Sequence, residues 1–390
     1  MKKQRGIFVL VLFTAGKLWA QSTPVPPEMA RVRGQYYEIS SEGDVADAAA
    51  LVKELELRMG EYNRLFHFDP SAIAAPLQVR VFKSKANYDA YVSARLGRTR
   101  DGAVYLHYNQ VERRELIIHR GSPDEARMLA HQAFIQYFRA LIPNPPAWMR
   151  EGFAIYFNTL GFDSKSGELT YEENLAWLET VKNLGNQAPS LRAVLLADTE
   201  GIPDNFQSVS WALVSFFLNS GGENYFRALT ETFMVLSPAA SAAANGDAVM
   251  KRLSLWVDPD TLTADYRAYL ISRKTFAELL EAGQKAYGAK DPVNAELNFI
   301  NALNLRPTHY APYYYLGLLA YEERNYDMAE QYYRSAMQYG ADPALVRYAL
   351  GLNAASAGRP AEAIEYLEQA AAASPERYRS RVESLIRRLR

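Results

Sequence analysis

The chain has 390 residues, of which 49% are hydrophobic and 22% charged, so it is long enough for two or three domains with substantial cores. Its formal net charge of -1 provides no overall field to attract nucleic acid or an anionic membrane, and no nucleic-acid motif is present. Cysteine is absent, which excludes disulfide bonds and a bacterial lipoprotein anchor.

Residues 1–20 have the pattern of a signal peptide. Lys2, Lys3 and Arg5 precede an apolar run over residues 6–16, and residues 18–20 form a cleavage site before the chain continues. The run is shorter than the roughly 20 residues that span a bilayer. We therefore predict a periplasmic or secreted protein with no transmembrane span after cleavage; the alternative is an uncleaved N-terminal anchor.

The segment after the signal peptide alternates strands and helices. Hydrophobic periodicity predicts strands at residues 35–39, 77–82, 102–108 and 115–119, and helices at 45–66 and 86–96. Residues 103–107 are a candidate edge strand that could pair with the backbone of a peptide. The alternative is an ordinary strand covered by its neighbours.

Two helices joined by a proline-rich elbow follow. Ser122, Pro123 and Glu125 predict an N-cap, a first helical residue and a capping-box partner. This helix should end before Pro143, because a residue that precedes proline avoids the helical conformation. A second helix is predicted to begin near Ala147.

These two helices resemble a known enzyme family. Residues 131–135, HQAFI, stand where gluzincin-type zinc metallopeptidases of the peptidase-MA-like group carry His-Glu-x-x-His. Residues 146–156 resemble that group's Pro-x-Trp-x-x-Glu-Gly-x-Ala-x-Tyr segment, whose Glu, here Glu151, is the third zinc ligand. The resemblance implies an α+β gluzincin-like module over residues 34–275, with a small sheet and helices followed by a helical lobe.

Two substitutions remove the chemistry that this resemblance would imply. Residues at i and i+4 share a helix face, but Ile135 has no lone pair with which to join His131 on a metal ion. Gln132 has an amide where the family has the carboxylate that takes a proton from metal-bound water. We therefore predict an inactive pseudo-peptidase that binds no zinc and uses no cofactor, in which His131 and Glu151 are vestigial.

The alternative is an active zinc-dependent metallohydrolase with a non-standard ligand set. His131 and Glu151 would then need a third ligand, and His107 and His119 are candidates. A lone histidine at the end of a strand is, however, more often hydrogen-bonded or solvated than metal-bound.

Residues 168–277 contain mainly helical patterns. Helices are predicted at residues 171–184, 208–218, 223–234 and 264–272, and residues 238–245 form a loop or a weak helix. In the family such a segment closes the cleft from the side opposite the first lobe.

Internal repetition dominates the C-terminal part of the chain. Glycines at 283, 317 and 351 are 34 residues apart, and two alanine positions keep the same step: Ala295, Ala329 and Ala363, then Ala302, Ala336 and Ala370. This period is typical of tetratricopeptide repeats. We predict an all-α solenoid over residues 276–390, with three repeats over residues 276–377 and a capping helix over residues 378–390.

The first helices of such repeats line a groove that binds peptides. Tyr313, Tyr314, Arg347 and Tyr348 are the candidate peptide-binding residues. At least one of the three successive tyrosines at residues 313–315 must be buried, because neighbouring helical residues point in different directions.

Together these patterns predict an exported, non-catalytic scaffold of the cell envelope. Its partners would be proteins or peptides, bound through the tetratricopeptide groove and through the vestigial cleft. In a third interpretation the first module binds nothing and the repeats alone bind partners, or the array only caps the preceding lobe.

Overall fold

The computed structural model describes residues 29–163 and 165–390. The predicted signal peptide, residues 1–20, lies outside these residues. The described chain forms two compact units. The first contains the chain up to Pro145 together with Phe157–Glu172 and Ser237–Ser241, and the second contains Pro146–Tyr156, Glu173–Leu236 and Ala242–Arg390.

The first unit combines a five-stranded sheet with three helices and a hairpin. Its elements are β1 (Ala30–Arg33), β2 (Tyr37–Ser41), α1 (Val45–Phe66), β3 (Leu77–Phe82), α2 (Lys85–Leu96), β4 (Ala103–Leu106), β5 (Glu115–His119), α3 (Glu125–Leu141), β6 (Leu160–Asp163) and β7 (Glu168–Tyr171). The sheet order is β1-β2-β3-β5-β4. The central strands β2, β3 and β5 are parallel, and β1 and β4 pair antiparallel at the two edges.

Alternating side chains give the sheet two packed faces. Phe82 and Ile117 pack with Tyr88, Tyr91 and other residues on the face that α2 covers. The opposite side chains, which include Val79 and Leu116, are also buried. Helices α1 and α3 pack on that second face.

An aromatic cluster joins α1 to α3. The Tyr62 ring lies 5.2 Å from Phe134 and 4.9 Å from Phe157 between ring centroids, and Phe66 lies 5.1 Å from Phe138. Offset and edge-on pairs at these distances each add about 0.5–1.5 kcal/mol to the effect of burial. The cluster therefore fixes α3, the helix that carries His131 and Gln132.

The predicted helices of this unit are confirmed within one to three residues, but the predicted cap of α3 is wrong. The helix begins at Glu125, after Asp124 in the left-handed conformation with φ 59°, and the Ser122 hydroxyl makes no capping bond. The Glu125 carboxylate instead accepts from the backbone N–H of Gly121 at 2.7 Å and pairs with Arg120.

Two strand predictions also needed correction. The strand predicted at residues 35–39 begins two residues later, because residues 34–37 form the turn between β1 and β2, closed by a bond from the N–H of Gly34 to the carbonyl of Tyr37. The β6–β7 hairpin lies partly in the segment predicted to be helical; its turn is closed by the N–H of Gly167, at φ 74°, on the carbonyl of Asp163. Four-residue strands carry too little periodicity to reveal themselves.

The second unit is helical. Its elements are α4 (Ala147–Phe157, the last residue grouping with the first unit), α5 (Leu175–Leu184), α6 (Leu191–Leu195), α7 (Ala197–Glu200), α8 (Phe206–Asn219), α9 (Glu223–Phe233), α10 (Ala242–Ser254), α11 (Pro259–Ser272), α12 (Phe276–Gly288), α13 (Pro292–Leu305), α14 (Tyr310–Glu322), α15 (Tyr326–Gln338), α16 (Pro343–Ser356), α17 (Pro360–Ala373) and α18 (Pro375–Leu389). Helix α10 begins within residues 238–245, which were predicted to be a loop or a weak helix, and α11 begins five residues earlier than predicted because the Asp258 side chain caps it.

Helices α12 to α17 form three successive pairs, as the 34-residue period predicts. A Cβ atom added at Gly283, Gly317 or Gly351 would lie 2.6, 2.5 or 2.7 Å from the side chain opposite in the same pair. These opposite residues are Phe299, Tyr333 and Leu367. The glycines are therefore required for the close approach of the two helices, and the run of helix pairs forms a helical solenoid.

Within the described ranges, no helix has both the length and the apolar character needed to cross a membrane.

The glycine contacts predict the effect of adding a methyl group. Gly317→Ala should lower the free energy of unfolding by about 1–3 kcal/mol, because the Tyr333 ring has to move. The matched control is Gly288→Ala, at an open position in α12, which should be neutral or gain up to about 1 kcal/mol. Urea denaturation followed by circular dichroism measures both; equal stabilities for the two variants would contradict the packing described.

Candidate functional site

Helix α3 presents the residues at the gluzincin-like positions in the first unit. His131 and Gln132 are half-buried, whereas Ile135 is only 8% exposed. Ile135 lies one turn after His131, on the same side of the helix, as the sequence predicts. Its hydrocarbon side chain adds to the buried surface of α3 and offers no atom that binds a metal.

The Gln132 side chain binds the edge of the sheet. Its Oε1 accepts a hydrogen bond of 3.1 Å from the backbone N–H of Tyr105 in β4. In an antiparallel pair only every second residue of a strand forms hydrogen bonds to the neighbouring strand. Gly102 is such a residue, because its carbonyl accepts from the N–H of His119, so the N–H of Tyr105, three residues later, points away from β5. Gln132 thus supplies a side-chain acceptor for an N–H group of the candidate edge strand that faces away from the sheet.

A second amide on α3 binds the sheet in the same way. The Nε2 of Gln136, one turn after Gln132, donates to the carbonyl of Gln78 in β3 at 2.9 Å. Gln136 is 1% exposed, and its Oε1 has no hydrogen-bond partner among the described residues. Gln136 was not among the predicted site residues, although a glutamine four residues after Gln132 in an apolar helix indicates a buried polar contact.

The two histidines considered as replacement ligands have separate surroundings. The Nδ1 of His107 lies 3.4 Å from the Tyr105 hydroxyl, and the ring of His119 lies 5.5 Å from that of Tyr88. Burial raises the pKa of Tyr105 to about 12, so its hydroxyl stays protonated at neutral pH. Across residues 29–163 and 165–390, no group of three or more His, Cys, Asp or Glu side chains is arranged to hold a metal ion.

Glu151 lies on α4, in the second unit. Its Oε1 accepts from the Nε of the adjacent Arg150 at 3.0 Å, and its side chain is 16% exposed. The next residue, Gly152, has a packing reason of its own, since an added Cβ would lie 2.5 Å from the carbonyl oxygen of Ser210 in α8. The backbone N–H of Ala147, the first residue of α4, donates to the Asp198 carboxylate at 2.7 Å.

The four candidate peptide-binding residues occupy two positions of the repeat. Tyr314 and Tyr348 are 34 residues apart, as are Tyr313 and Arg347, and all four are half-buried. Tyr313 stacks on Tyr339 at 5.3 Å, and its hydroxyl donates to a carbonyl of the preceding loop at 3.0 Å. Its ring is therefore held by its own repeat and the loop before it.

The prediction that at least one of the three successive tyrosines is buried is wrong, because all three are half-buried; Tyr315 packs on the preceding repeat. Its ring stacks on Phe299 of the preceding repeat at 4.9 Å. Tyr314 lies 5.9 Å from Tyr333, and Tyr348 stacks on Tyr378 of α18 at 4.8 Å. Tyr314 on α14 and Tyr348 on α16 therefore occupy the same position in successive repeats.

Hydrogen bonds between first helices follow the same 34-residue step. The Tyr287 hydroxyl donates to Glu322 at 2.6 Å, and the Tyr321 hydroxyl lies 3.0 Å from that of Ser356. The two tyrosines are one repeat apart from each other, and so are their two partners, Glu322 and Ser356. Because Tyr314 and Tyr321 are seven residues apart, they share one side of α14. These bonds hold neighbouring first helices together beside Tyr314.

The chain matches no protein-family model, and no curated protein matches it. Among solved structures it is similar to the crystal structure of the APC/C hetero-tetramer Cut9-Hcn1, with 15% identity over 67% of this chain and a TM-score of 0.28. The chain spans half the length of that matched chain.

The bond between Gln132 and Tyr105 yields a testable prediction. Gln132→Leu should lower the free energy of unfolding by about 1 kcal/mol and speed hydrogen exchange at the Tyr105 amide, because a donor loses its acceptor. Gln132→Glu keeps an acceptor and should leave the exchange rate close to that of the wild type. If Gln132→Leu leaves exchange at Tyr105 unchanged, this bond does not protect the edge.

Proposed function

We propose that this protein is a non-catalytic, protein-binding scaffold, exported to the periplasm or the extracellular space. In this proposal the first module is a pseudo-peptidase, and the tetratricopeptide-type solenoid supplies the main binding surface. The observation that carries the proposal is the role of Gln132: an amide that accepts the backbone N–H of Tyr105 stands where a hydrolase of the gluzincin type needs a proton-accepting carboxylate.

The solenoid supports the binding part of the proposal. Arrays of paired helices offer an extended surface made by successive first helices, on which one or two aromatic residues of each repeat contact a peptide. Tyr314 and Tyr348 have the spacing and partial exposure that such contacts require. Aromatic side chains lose little conformational entropy on binding, so each provides much contact area at low cost.

Metal content separates this proposal from the metallohydrolase alternative. Protein purified without chelator, then dialysed against zinc and analysed by mass spectrometry, should hold less than one stoichiometric zinc ion, because Ile135 supplies no ligand. His67→Asn serves as the control for adventitious binding at an exposed histidine. One zinc per chain that His131→Ala and Glu151→Ala both remove, together with peptidase activity lost in the same variants, would establish the enzyme instead.

Peptide selection on the full chain tests the binding surface. Peptides selected from a random display library should bind about tenfold more weakly to Tyr314→Ala and to Tyr348→Ala, since each variant loses an aromatic contact worth about 1–2 kcal/mol. Tyr310→Ala, at an exposed tyrosine on the first turn of α14, should bind like the wild type. If the selected peptides bind Tyr314→Ala and Tyr348→Ala as tightly as the wild type, the solenoid does not bind partners through the surface that carries Tyr314 and Tyr348.

A further inference from the structure

A cavity in the first unit stands apart from the gluzincin-like positions and from the solenoid. It lies where β3 and β5 begin, on the face of the sheet that α2 covers, and has a volume of about 630 Å³. Volumes of 300–1,000 Å³ are usual for sites that take small organic ligands. The cavity is lined by side chains of both strands, of α2 and of the segment that precedes β5.

A buried carboxylate organises the cationic part of the lining. Glu115 is 8% exposed, and its two carboxylate oxygens accept from the Nε of Arg95 at 2.9 Å and the Nε of Arg80 at 3.1 Å. The Tyr91 hydroxyl lies 2.8 and 2.9 Å from the same oxygens. Burial and the adjacent carboxylate raise the pKa of Tyr91 to about 12, so the hydroxyl keeps its proton and donates.

The two arginines are held in place but keep donors to spare. The Nη1 of Arg95 donates to the carbonyl of Tyr91 at 3.3 Å, and the Nη1 of Arg80 contacts the sulfur of Met29 at 3.4 Å. In the part of the chain that the structure describes, neither Nη2 group has a hydrogen-bond partner. Since a guanidinium carries five N–H donors, each arginine can bind a further acceptor without releasing Glu115.

A third arginine and two aromatic rings complete the lining. Arg113 is exposed, and its guanidinium lies 4.6 Å from the centroid of the Tyr108 ring. The three lining arginines face two lining glutamates, Glu112 and Glu115, which leaves one net positive charge. The guanidinium carbons of Arg95 and Arg80 lie 3.4 and 4.8 Å from the centroid of the buried Tyr91 ring, so the aromatic surface open beside that charge belongs to the half-buried Tyr108. A single negative charge on a flat apolar body complements this lining.

We propose that this cavity binds a small organic monocarboxylate, held by Arg95, Arg80 and Arg113 and packed against the Tyr108 ring. Guanidinium groups match the geometry of a carboxylate, and the buried Glu115 keeps two of them aligned before the ligand arrives. This inference is independent of the proposed function, because it uses neither α3 nor the solenoid.

Titration calorimetry on the full chain tests the site with three probes: benzoate, the uncharged analogue benzamide, and inorganic phosphate. We expect saturable binding of benzoate, with benzamide and phosphate each at least about tenfold weaker, because one lacks the charge and the other the apolar body. Saturable benzoate binding that benzamide or phosphate equals would overturn the proposal, as would the absence of benzoate binding.

Variants place the binding in this cavity. Arg113→Gln, at an exposed position that should not affect folding, and Arg95→Gln should each weaken benzoate binding by about tenfold. Arg98→Gln is the matched control, an exposed arginine just beyond the end of α2 and outside the lining, and should bind like the wild type. Benzoate affinity that stays the same in Arg113→Gln, a variant whose folding is verified by circular dichroism, would refute the assignment.

Discussion

The hydrogen bond between the Gln132 amide and the backbone N–H of Tyr105 ties α3 to the edge of the sheet. An edge strand leaves every second N–H and carbonyl without a strand partner, and each such group needs another acceptor or donor. Gln132 provides one on β4, and one turn later Gln136 reaches the carbonyl of Gln78 in β3. These two side-chain amides therefore tie α3 to the sheet. Strand addition by a peptide at this edge would have to displace the Gln132 side chain.

In the solenoid, tyrosine hydroxyls form hydrogen bonds between neighbouring helices. Tyr287 and Tyr321 each bond to the next first helix, at partner positions that are themselves 34 residues apart. Glycine at the crossing of each pair lets the two helices approach until an aromatic or leucine side chain fills the gap. Because these contacts recur with the repeat, they fix the orientation of Tyr314 relative to Tyr348.

Much of the architecture follows from local patterns in the sequence. The α1 helix and the strand β3 have the bounds that periodicity predicts, because a long amphipathic helix and alternating side chains are strong local signals. The strand β5 also has its predicted bounds, although its buried residues form a continuous run. The short β1 strand and the β6–β7 hairpin were missed, since their stability comes from pairing with another segment. The predicted start of α3 was also wrong, because the Glu125 side chain bonds to Gly121 and Arg120 rather than acting as a capping-box partner for Ser122.

The sequence by itself determined the repeat period, the glycine crossings, the absence of a metal-binding atom in the side chain of Ile135 and the absence of a carboxylate at Gln132, because each depends on residue identity and spacing alone. Only the tertiary structure decided which groups the polar side chains contact. The partner of Gln132 is 27 residues away in the sequence, and Glu115 meets its two arginines across separations of 20 and 35 residues. Contacts at such separations depend on strand order and on the packing of helices against the sheet, and neither is written in a local pattern.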